Sequence, residues 1–152
     1  MPTFDIDSYL LDVLTKIDDC GWSVVAVEPD IGDPEPGFAY TVGLTTAGHP
    51  ELAIFGLPAR LAQSLLNQVA ERLVGGESIR PGDRLERVIG NGLTLTAVDM
   101  TDLSELGVVT AVYGHADRAL QLVWPDPEGR MPWQRGYSMT PEAQPLFGYG
   151  LE

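Results

Sequence analysis

Tyr40, His49 and Glu51 fall within twelve residues of one another and carry the groups that acid/base catalysis needs. A carboxylate beside a histidine fixes its tautomer, the imidazole takes and returns a proton near neutral pH, and a phenol donates a hydrogen bond. In that reading His49 is the acid/base, Glu51 its orienting partner and Tyr40 a donor. The competing reading makes His49-Pro50-Glu51 turn chemistry, in which the histidine caps a carbonyl and the proline opens a strand. The His-x-Glu spacing is also that of zinc deaminases, but their mechanism needs a Pro-Cys-x-x-Cys partner. Cys20 is the only cysteine, and no metal site is expected.

A second group suits ligand binding: Gln121, Trp124, Asp126 and Trp133, with Tyr113 and His115 just upstream. Indoles can stack on a planar molecule while an amide and a carboxylate hydrogen-bond its edge. The alternative is that both tryptophans are core anchors pinning the segment that follows. Alternation along a strand places Gln121 opposite Leu120 and Leu122, so its role depends on whether that face meets solvent or a cleft. The G-x-S-x-G elbow, the Walker A loop and the G-x-G-x-x-G loop are all missing.

The elements that must position these groups are legible from periodicity. Ile6, Tyr9, Leu10, Val13, Leu14 and Ile17 follow helical spacing, with Asp5 as a cap and Gly21 as a stop. Trp22–Val27 reads as a strand, and residues 28–37, with three prolines, two glycines and four acids, read as a loop. Phe38–Leu44 and Glu51–Leu57 form a hairpin across a short turn-rich link. Pro58 opens a second helix with a stripe of Leu61, Leu65, Leu66, Val69 and Leu73, and Gly75-Gly76 ends it. Arg84–Ile89 and Leu93–Val98 flank Gly90-Asn91-Gly92 as a second hairpin. Asp102–Tyr113 fits a helix, weakened by Gly107 and by β-branched residues. Ala119–Trp124 is a further strand, and residues 125–152 form an irregular C-terminal wrap. Strands joined as hairpins, with two or three helices and no linker, predict a single α+β domain over residues 1–152. Its sheet is expected to be largely antiparallel and barrel-like.

Three segments are distinctive: Pro36-Gly-Phe-Ala-Tyr-Thr-Val-Gly-Leu44; Gly48-His-Pro-Glu-Leu52 with Phe55-Gly-Leu-Pro58; and Leu120-Gln-Leu-Val-Trp-Pro-Asp126 followed by Pro132-Trp133. Through them the chain resembles, over nearly its whole length, the bacterial family catalogued as domain of unknown function 4262. The resemblance implies a fold and carries no activity with it.

Composition narrows the partners. Nine Lys+Arg against 22 Asp+Glu give a formal charge of −13, and Lys16 is the only lysine. Phosphate backbones and anionic membranes both require clustered cations, so neither nucleic acid nor a membrane surface is expected as a partner. The N-terminus lacks the basic and apolar regions of a signal peptide, and no run approaches the ~20 apolar residues that span a bilayer. A cytoplasmic location is therefore expected. The leading expectation is a small-molecule-binding domain, enzymatic if the His49/Glu51 pair is active, with its cleft between that pair and the Trp124 segment. The alternative is a non-catalytic acidic interaction or accessory module, with a symmetric homodimer as its natural subcase. Flavin binding at a small barrel is a third reading, by analogy of fold alone, and no cofactor is assigned.

Overall fold

The computed structural model describes residues 6–29, 32, 36–86, 88 and 94–148. Asp5, the acids Asp30, Asp33 and Glu35, and the Gly90-Asn91-Gly92 turn lie outside the described residues. The chain runs α1 (Ile6–Cys20), β1 (Ser23–Val27), β2 (Phe38–Val42), a 3-10 turn (Leu44–Ala47), β3 (Glu51–Phe55) and α2 (Ala59–Val74). It continues through β4 (Arg84–Leu85), β5 (Leu95–Asp99), α3 (Gly107–Tyr113), β6 (Ala119–Val123) and a 3-10 turn at Pro141–Ala143.

The strands form one sheet in the order β1-β2-β3-β6-β5-β4. Only β3 and β6 pair in parallel, and the other pairings are antiparallel. The result is a single α+β domain with a mostly antiparallel sheet. That sheet is open, with β1 and β4 at its edges, so the expected barrel-like closure is not present.

Both faces are covered. Ala62, Leu65, Leu66, Val69, Ala70 and Leu73 of α2 are buried against Ala39, Leu52, Ile54, Leu120, Leu122 and Trp124. This stripe keeps the i, i+3, i+4, i+7 spacing but begins at Ala62, and Leu61 is exposed. Val13, Leu106 and Val109 of the α1 and α3 region cover Val25, Tyr40, Ala53 and Ala119 on the other face. Of the expected α1 stripe, Tyr9, Val13 and Ile17 pack inward, whereas Leu14 is largely exposed. A helix lying over the edge strand β1 covers the sheet with a narrower face than one lying over its centre.

Register sets which side chains share a face. Val25, Tyr40, Ala53, Gln121 and Val98 stand in one row across five strands. The segment after β6 closes back over the end of this row. Gln121 Nε2 donates to the Pro145 carbonyl (2.7 Å) and its Oε1 accepts from the Phe147 N–H (3.0 Å). The Phe147 carbonyl in turn accepts from the N–H groups of Thr101 and Asp102. The expected irregular wrap is thus a strap of little regular structure, fastened by specific backbone hydrogen bonds.

Candidate functional site

Glu51 is fully buried, and its carboxylate is the centre of a cage. Oε1 accepts from Thr41 Oγ1 (2.9 Å) and the Leu44 N–H (3.2 Å). Oε2 accepts from the N–H groups of Gly43 (3.1 Å) and Thr45 (3.0 Å) and from Thr45 Oγ1 (2.6 Å). Three successive N–H groups entering a 3-10 turn form a concavity that suits an anion, and here the anion is the protein's own side chain. Gly43 makes this possible. Its φ is +126°, and a Cβ there would collide with the Gly21 carbonyl and Trp22 Cα.

His49 is half-buried, and its N–H donates to the Leu44 carbonyl (3.0 Å). It is not among the donors to Glu51. Tyr40 is buried, and its hydroxyl accepts from the Val108 N–H (3.0 Å) in the first turn of α3. Burial, partly opposed by that hydrogen bond, pushes its pKa up to about 12. Two of the three expected acid/base groups are therefore bound to backbone donors of their surroundings.

The second group is dispersed. Gln121 is buried and clamps the strap. Trp124 packs on the α2 side and donates its indole N–H to the Phe55 carbonyl (2.7 Å). Trp133 packs against Val98, Val123 and Met131 on the other face. The indoles lie on opposite faces because positions 120, 122 and 124 share one side of the strand and 121 and 123 the other, so they do not sandwich one ligand.

Asp126 is buried and organises the loop after β6. Oδ1 accepts from the N–H groups of Glu128 (3.0 Å) and Arg130 (2.8 Å), and Oδ2 from the Ser138 N–H (2.9 Å) and hydroxyl (3.1 Å). Burial works against its ionisation, but the hydrogen bonds from Arg130, Ser138 and Glu128 together outweigh it and hold its pKa below the usual value.

The two groups also lie apart along the sheet. Glu51 pairs with Ala119 in the parallel β3/β6 register, and His49 precedes Glu51 while Trp124 follows Ala119. At about 3.3 Å per residue this separates His49 from Trp124 by roughly 20 Å, so the expected cleft between them is not formed. Among the described residues no cluster of three or more His, Cys, Asp or Glu is placed to hold a metal, and no helix is long and apolar enough to cross a membrane. His115 faces solvent beside Asp117 (3.1 Å).

Several surface depressions open among the described residues, and two of them bear on the site. One, of about 420 Å³, is bordered by Arg84, Thr94, Thr96, Trp133 and Gln134, so Trp133 does border a cleft. The other, of about 380 Å³, is bordered by Pro36, Phe38, Phe55, Glu105, Pro141, Glu142, Pro145 and Phe147. Phe38 and Phe55 are cross-strand partners whose rings stack at 4.9 Å between centroids, and Phe55 meets Phe147 of the strap at 4.5 Å. This aromatic groove escaped the sequence reading. Its β2/β3 half could have been found by counting outward from the hairpin turn, whereas the contribution of Phe147 has no local signal.

Comparison with curated proteins and with solved structures gave no match. Residues 16–138 match the family model described as Domain of unknown function (DUF4262), and the chain belongs to that family.

Proposed function

We propose that this is a small-molecule-binding domain whose ligand occupies the groove between Phe38, Phe55 and Phe147. The observation that carries the reading is the chemistry of its walls. Half-buried Phe38 and Phe147 flank the buried Phe55, prolines form the sides, and the volume of about 380 Å³ suits a small organic ligand. Apolar walls with few polar groups are the usual composition of such sites. The depression beside Arg84 and Trp133 is more polar.

The reading favours binding over catalysis by the His49/Glu51 pair. Five donors engage the Glu51 carboxylate, and the groove lies towards the Phe55 end of β3 rather than the Glu51 end.

The test is ligand-observed NMR with a set of small aryl compounds, preceded by native mass spectrometry for a co-purifying molecule. Binders should lose about tenfold or more in affinity in Phe38→Ala and Phe147→Ala, in proportion to the apolar contact removed, and should be unaffected by Trp133→Ala. Binding that survives both phenylalanine substitutions and disappears with Trp133→Ala would move the site to the other depression.

A further inference from the structure

We infer that the aromatic groove selects small amphipathic organic cations, aryl or alkyl ammonium compounds, over neutral or anionic molecules of the same shape. The inference rests on the groove being the binding site.

Its basis is which polar groups the groove leaves unengaged. Glu105 and Glu142 both border it and both are exposed, and neither is in an ion pair with another described residue. Among the described residues, no lysine, arginine or histidine borders it. Three of the bordering residues, Pro36, Pro141 and Pro145, have no N–H, so they offer an anionic ligand nothing to bind. Part of the neighbouring backbone is already engaged: the Pro145 carbonyl by Gln121, the Phe147 N–H by Gln121, the Phe147 carbonyl by Thr101 and Asp102, and the Phe55 carbonyl by Trp124. The groove therefore combines an apolar bed with accepting carboxylates at its rim.

A carboxylate ligand laid here would be partly desolvated beside two like charges and without a side-chain donor. A neutral ligand would gain only the apolar contact. An ammonium compound gains that contact as well and keeps its charged end at the wet rim beside Glu105 and Glu142, much as a lysine head reaches water from an apolar surface. The electron-rich faces of the phenyl rings add to the attraction. The net charge of −13 acts in the same direction at longer range.

The experiment compares three shape-matched probes by calorimetry: 4-phenylbutylammonium, 4-phenylbutanol and 4-phenylbutyrate. Each is titrated into the full chain, into the Glu105→Gln/Glu142→Gln double variant and into Phe147→Ala. The ammonium probe should bind tightest, roughly tenfold over the alcohol, and the butyrate weakest. The double variant should remove that preference and leave alcohol binding unchanged, and added salt should weaken only the ammonium probe on the unmodified protein. Both substituted carboxylates are exposed, and the salt series needs no variant.

Equal affinity for ammonium and alcohol, with both lost in Phe147→Ala, would overturn the charge selection and leave the groove as the site. No binding by any probe, or binding indifferent to Phe147→Ala, would overturn the groove itself.

Discussion

Glu51 shows how a catalytic-looking residue can serve the fold instead. Its carboxylate takes five hydrogen bonds from residues 41–45 and so fixes the turn that joins β2 to β3. Glu51→Gln keeps the shape but sets an amide N–H against backbone donors. It should cost about 2–3 kcal/mol in urea unfolding, whereas His49→Ala should fall within about 0.5 kcal/mol of the parent. A working His/Glu pair would give matched losses of an activity, so the contrast between the two variants separates the roles. Tyr40 makes a second prediction. The fold favours its neutral hydroxyl, so the stability linked to it is complete below its ordinary value of 10 and is lost as pH rises from there through about 12. Tyr40→Phe should flatten that alkaline loss and cost about 1 kcal/mol at neutral pH, because the Val108 N–H loses its acceptor. Unfolding midpoints measured at pH 7, 10 and 11 check both effects. The sequence reading singled out these residues, including Gln121 and Asp126, as candidates for chemistry because polar side chains within or just after apolar runs are conspicuous. It did not find their partners, which are backbone groups of turns and of a distant segment.

Among the elements, the strap of residues 139–148 matters most, because it supplies one side of the groove and lies beyond the residues matched to the family. Gln144 holds it by a reciprocal pair of hydrogen bonds with the Trp124 backbone, both 2.8 Å. Gly56 admits it, with φ at +89° and so little room that a Cβ would collide with the Ala143 carbonyl. Gly56→Ala therefore combines an unfavourable backbone conformation with a clash. It should destabilise by about 2 kcal/mol or more and dislodge the strap, seen as faster proteolysis within residues 139–148 and weakened probe binding. Hairpin 38–55 was legible because a short polar link between two apolar runs leaves few alternatives. The course of the strap was not, since proline and glycine indicate irregular backbone without indicating where it docks.

At the scale of the whole molecule, two antiparallel units, β1-β2-β3 and β6-β5-β4, meet along the parallel β3/β6 pair. Every residue of both central strands is buried, because α2 covers one face and α1, α3 and the strap cover the other. Amide exchange should therefore be slowest in β3 and β6 and faster in the two-residue edge strand β4, as measured by exchange mass spectrometry or NMR. The α+β class and the predominance of antiparallel pairing followed from the hairpins. The parallel seam did not, because Glu51–Phe55 and Ala119–Val123 are far apart in sequence and nearly continuous apolar runs do not specify a partner.

The hydrogen bond from the Trp124 indole to the Phe55 carbonyl has a spectroscopic corollary. It ties a chromophore on one side of the sheet to the residue whose ring floors the groove on the other. Occupancy of that floor should register in Trp124 emission without any label, and Trp124→Phe should silence the response while Trp22 and Trp133 remain as internal controls.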